Sequence, residues 1–92
     1  MARIAVHGAD LKDGKIAALR VRMHNLPPRT IDRDTTVAWL KEGHAFIPVA
    51  NGGALPALLL LEAGEDLVVR DDGKSEAGDK VDGLPAVENA GI

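Results

Sequence analysis

Residues 35–70, TTVAWLKEGHAFIPVANGGALPALLLLEAGEDLVVR, decide the fold. They hold the only tryptophan, the only phenylalanine and seven of the eleven leucines in a chain of 92 residues, so the core forms here. Asp34 ahead of TTVAWLKE and Gly43 behind it mark a two-turn helix, with an oxygen-bearing cap at the start and a glycine free to take the left-handed exit conformation. Val37, Leu40 and Lys41 fall near one face with Trp39 beside them. A helix this short needs an apolar surface to lie on.

That surface follows directly. Residues 45–50 and 55–61 are apolar runs flanking Asn51-Gly52-Gly53, and Asn-Gly is the preferred pair for a tight type I′ hairpin turn because both residues accept positive φ. A third strand at residues 66–70 follows Ala63-Gly64, so the three segments are expected to form an antiparallel meander. Leu58, Leu59, Leu60 and Leu61 do not alternate with polar residues, the pattern of a strand covered on both faces. One helix covers one face, and a second copy of the chain is the simplest cover for the other. These four leucines are therefore the expected oligomer interface. Residues 56–63 also fit a short helix, with proline in its first turn and Gly64 past its end; the strength of the Asn-Gly turn favours the strand.

Upstream, residues 3–24 read as a hairpin around Asp13-Gly14. With those two residues as the loop, Lys12 pairs with Lys15, Val6 with Val21 and Ile4 with Met23. The register sorts the side chains by face. Ile4, Val6, Leu19, Val21 and Met23 share one; Arg3, His7, Arg20, Arg22 and His24 share the other. A helix over residues 15–25 is the rival, with Ile16, Leu19, Met23 and Leu26 at helical spacing, but strict alternation from Ala17 to His24 favours the strand. Pro27-Pro28 then disfavours regular structure, leaving residues 26–33 as a connector. The expected fold is α+β: a small antiparallel sheet of about five strands, ordered β-β-α-β-β-β, with one short helix on one face. It occupies residues 1–70 as a single domain, and an irregular acidic tail follows over residues 71–92.

Charge supports that division. Residues 1–70 carry nine Lys or Arg against eight Asp or Glu, whereas residues 71–92 carry two against six. The tail has no apolar periodicity and is expected to be irregular or disordered. The absence of cysteine excludes disulfides, thiolate nucleophiles and cysteine-ligated metals, and suits a reducing cytoplasm. The N-terminal run MARIAVHGAD lacks the long apolar region of a secretory signal, and no stretch approaches the roughly 18 apolar residues of a membrane span. The expected location is cytoplasmic. Nucleic acid is not an expected partner, because two aromatic side chains offer little stacking and the net charge is −3.

Arg3, Arg20 and Arg22, joined by His24 and by Arg29 and Arg33 of the connector, form a cationic group suited to phosphate or carboxylate. The plainer reading is a solvated face, or a partner for the acidic tail. Trp39 and His44 could line a pocket between helix and sheet, although Trp39 also serves as the helix anchor. The three histidines show no metal-binding spacing, so no metal is expected. Asp32 and Asp34 flank Arg33 like a carboxylate pair for acid–base work, but capping and connector amides account for both. Asn51-Gly52-Gly53 lacks the lysine and hydroxyl of a phosphate loop, and no cofactor is expected. The resulting expectation is a non-catalytic interaction or assembly module, a homo-oligomer through the leucine strands. One alternative is a small-molecule or anion-binding protein using Trp39, His44 and the hairpin arginines, which also suit an acidic protein partner. The other is a small enzyme using His44 with Asp32 or Asp34.

Overall fold

Asp13 and Gly14 sit at φ 54° and 75°, and Asn51 and Gly52 at φ 53° and 75°, so both pairs adopt the turn expected of them. The computed structural model describes residues 2–92. The elements in chain order are β1 (Arg3–Lys12), β2 (Lys15–Arg22), β3 (Arg29–Asp32), α1 (Arg33–Lys41), β4 (Ala45–Ala50), β5 (Gly53–Ala54), β6 (Leu59–Ala63) and β7 (Asp66–Arg70), with one 3₁₀ turn at Val87–Asn89. The fold is α+β, and neither segment with a rival helical reading forms a helix: strands occupy Lys15–Arg22 of the first and Leu59–Ala63 of the second.

The turn sets the β1–β2 register. Lys12 faces Lys15 and Val6 faces Val21, with shifts between Val6 and Gly8 and between Asp10 and Leu11. The first leaves His7 as an extra residue on β1, and the second leaves Ala17 extra on β2. The two bulges cancel, so the apolar face stays continuous. Ile4, Val6, Leu19 and Val21 are buried on it, and Arg3 and Arg22 are exposed on the other. The expected pairing of Ile4 with Met23 does not form, because β2 ends at Arg22.

The sheet departs from expectation in three ways. The five-stranded sheet, ordered β3-β2-β1-β4-β5, is mixed, because β4 runs parallel to β1 with Ile4 beside Phe46 and Val6 beside Pro48. A chain returning through a helix can re-enter alongside its first strand in the same direction, and no local pattern encodes that choice. The connector contains β3, an edge strand that pairs with β2 immediately after the two prolines. The meander also stops early. β4 pairs with Gly53–Ala54, and amides from Leu55 to Pro48 O and Leu58 to Phe46 O hold the chain nearby. Pro56 has no amide to continue the ladder, and β6 turns away to pair with β7 in a separate two-stranded ribbon.

The helix cap is Asp32, not Asp34. Its Oδ1 accepts the Thr35 amide at 2.8 Å, and its carbonyl accepts the fully buried Thr36 hydroxyl. At the other end Gly43, at φ 93°, donates to Leu40 O while the His44 amide reaches Trp39 O, closing the helix as a Schellman motif. Val37, Trp39 and Leu40 lie against Phe46 and the buried sheet residues, with Leu58, Val69 and Val81 completing the core.

The C-terminal segment is irregular as expected, but it is not disordered. Val81 is buried in the core and Leu84 packs beside it. The amide of Ala9 donates to Pro85 O, and that of Val87 to Asp10 Oδ1. These bonds strap residues 83–92 across part of the sheet's second face, where Gly8 allows close approach: a Cβ there would lie 2.9 Å from the Ala90 Cβ.

Candidate functional site

The rest of that second face is uncovered. In the ladder Arg22 faces Ala5, and Ala5 in turn neighbours Ile47, so one row crosses three strands on the side away from α1. Arg3 lies two residues before Ala5 on the same face, and Val49 two residues beyond Ile47. The turn after β2, with Asn25 at φ 61°, raises Met23, His24, Leu26 and Pro27 as a wall. Together with Ala54 these residues enclose a groove of about 800 Å³. Its floor is aliphatic and its wall mixes Met23, Leu26 and Pro27 with His24, its cationic rim is Arg3 and Arg22 with Asn25 alongside, and among the described residues no carboxylate lines it.

Four of the six arginines are engaged elsewhere, as is Lys80. Arg33 pairs with Asp79, Arg70 with Asp72 and Glu76, and Lys80 with Asp71 and Asp82. Arg20 donates to Ile92 O and Thr30 Oγ1, and the Arg29 guanidinium sits 5.4 Å from the Trp39 ring centroid. Among the described residues, Arg3 and Arg22 are the arginines with no ion pair, side-chain hydrogen bond or aromatic partner. A chain with net charge −3 has carboxylates to spare, and none is placed at this groove.

The remaining expected site residues lie elsewhere. Trp39 stacks on Phe46 at 6.3 Å and meets His44 edge-on at 6.4 Å, and His44 Nδ1 accepts the Ala2 amide. Neither lines the groove. Arg20 is drawn to the strap, and His7 and Gly8 together face it across the bulge. Asp32 caps α1 and Asp34 lies in its first turn, whereas His44 follows its last turn, so both carboxylates stand at the opposite end from His44 of a helix whose nine residues span about 13 Å. The convergence that an acid–base reading requires is absent. Leu58 is buried in the chain's own core, whereas Leu59 is 47% exposed, so the four leucines do not form one apolar surface.

Asp79 is the polar centre that sequence reasoning missed. Its Oδ2 accepts the Ile16 amide and Arg33 Nε, both at 2.8 Å; its Oδ1 accepts the Val69 amide at 2.9 Å and Arg33 Nη2 at 3.2 Å. Burial works to raise its pKa, but the Arg33 bond and the two amides outweigh burial and hold it below the usual carboxylate range. Arg70, almost buried, is ringed by Asp72, Glu76 and the carbonyls of Ala77 and Gly78. Asp72 is held low by the Arg70 guanidinium and by the Lys74 amide. Among the described residues, no buried side-chain polar atom is left without a hydrogen-bond partner. A second cleft, of about 460 Å³, borders the Asp79 clasp and mixes Lys15 and Lys41 with Asp34, Glu65 and Asp66.

Among the described residues, no group of three or more His, Cys, Asp or Glu side chains is placed to hold a metal ion, and no helix is long and apolar enough to cross a membrane. No family model, curated protein or solved structure matches this chain.

Proposed function

We propose that this chain is a non-catalytic binding module whose recognition surface is the groove over β1, β2 and β4, and whose ligand is anionic with an apolar body. One observation carries the reading. Among the described residues Arg3 and Arg22 stand unpaired over an aliphatic floor, while the other arginines are engaged. Unpaired guanidinium groups beside apolar surface bind carboxylate or phosphate by paired hydrogen bonds while the floor takes the apolar part. Thermal shift against a panel of small organic anions tests it. A ligand at about 100 times its Kd adds about 2.7 kcal/mol to the native state, and the variant R3A/R22A should lose that gain. Equal stabilisation of both proteins would place the ligand elsewhere.

A second reading, homodimerisation, is supported by β6. Its outer edge has no ladder partner among the described residues, and Leu59 on it is half exposed. An unpaired, apolar edge favours strand addition by a second copy. Cytoplasmic residence, expected from the cysteine-free sequence, belongs to the same proposal.

A further inference from the structure

We infer that the groove takes a single amphiphilic molecule with a phosphate-type, dianionic head on an aliphatic body; this deepens the reading of the groove as the recognition surface and rests on it. The ladder fixes the head-group site. Arg22 faces Ala5, and Arg3 lies two residues along β1 on the same face, so the two arginines are diagonal neighbours, a relation that sets residues about 7–8 Å apart in an antiparallel pair. From that spacing two long side chains can close on one group. A carboxylate compensates one of these charges and leaves the other bare. A phosphate monoester carries about −1.5 to −2 at neutral pH and offers three acceptor oxygens, enough for two guanidinium forks. His24 and Asn25 add donors at the same corner.

The floor fixes the body. Ala5, Ile47, Val49, Met23 and Leu26 are all aliphatic or thioether side chains. Trp39 and Phe46 pack together on the opposite side of the sheet, so a nucleobase in the groove meets no Trp, Tyr or Phe ring and only the His24 imidazole at the rim. The size and charge of the protein favour one bound molecule over a membrane surface: the groove lies within the range of small-ligand sites, and a net charge of −3 opposes approach to an anionic bilayer.

Isothermal titration of the full chain separates these elements, using octyl phosphate, octanoate, inorganic phosphate and vesicles containing phosphatidic acid. Octyl phosphate should bind at least tenfold tighter than octanoate and inorganic phosphate, and the vesicles should retain no protein on sedimentation. R3A/R22A, at exposed positions and checked by its thermal midpoint, should abolish the preference for octyl phosphate over octanoate. Equal binding of octyl phosphate and octanoate, lost in R3A/R22A, would overturn the dianionic head while leaving the groove as an anion site. Inorganic phosphate binding as tightly as octyl phosphate would remove the aliphatic body, and retention on vesicles alone would replace the single molecule with a lipid surface. Absence of any binding, or binding unchanged in R3A/R22A, would overturn both this inference and the recognition surface beneath it.

Discussion

The Arg33 guanidinium closes on the Asp79 carboxylate through two hydrogen bonds, Nε to Oδ2 at 2.8 Å and Nη2 to Oδ1 at 3.2 Å, and so ties the first turn of α1 to the C-terminal segment. The same carboxylate takes amides from β2 and β7, and the Asp79 amide donates to Gly14 O in the first hairpin turn. Three elements, α1, β2 and β7, meet on one side chain.

Replacing Asp79 with alanine should therefore be among the most damaging single changes available. It strands two amides and an arginine whose side chain is only 23% exposed, and breaking a buried pair costs about 3–5 kcal/mol. Urea unfolding measures it. A loss below about 1 kcal/mol would show that the clasp does not hold the fold.

Acid should weaken the protein through the same group. Because the folded carboxyl lies below its ordinary value of about 3.9, the clasp contributes fully above about pH 4 and is lost as pH falls through the depressed folded value. Asp72 and Asp32 shift the same way, the first beside Arg70 and the second on the Thr35 amide, so acid unfolding draws on all three. The variant D79N should show a shallower fall in thermal midpoint between about pH 5 and about pH 2 than the natural chain. Parallel curves would contradict this.

The strap depends on Gly8. An alanine Cβ there meets the Ala90 Cβ at 2.9 Å, the Val87 Cα at 3.1 Å and the Ala86 carbonyl at 3.2 Å, so the strap must move. G8A should cost about 1–3 kcal/mol and speed proteolysis within residues 83–92. Unchanged cleavage would mean that the strap is held by its other contacts.

Truncation divides the C-terminal segment by role. A chain ending at residue 82 keeps Asp79 and Val81 and should fold, whereas one ending at residue 70 loses both and should unfold cooperatively at far lower temperature. Circular dichroism melts of the two chains decide it; equal midpoints would show that the segment is dispensable.

What could be read in the sequence was local. Asp13-Gly14 and Asn51-Gly52 announced their turns, and alternation along Ile4, Val6, Leu19 and Val21 identified the core face and the opposite face, of which Arg3, Arg22 and His24 line the groove while Arg20 turns to the strap. What could not be read depends on distant partners. The parallel seat of β4 beside β1 is set by tertiary packing. The apolar run over residues 55–61 gives no sign that the ladder breaks at Pro56 or that β6 leaves to form its own ribbon. Asp32 and Asp34 were equivalent as capping types, and only the backbone decides which one accepts the Thr35 amide. Asp79 looked like one acid among six in the tail, because the amide it binds at Ile16 lies 63 residues away.

The central claim is that the arginine groove, rather than the Trp39 region or the mixed-charge cleft, is where this protein binds. Amide chemical-shift mapping during titration with octyl phosphate tests it most directly. The account predicts saturable shifts concentrated at Arg3, Ala5, Arg22, His24, Ile47 and Val49, with Trp39, His44, Lys15 and Lys41 unmoved. Shifts centred on Lys15 and Lys41 or on Trp39, or no saturable shift at all, would contradict it.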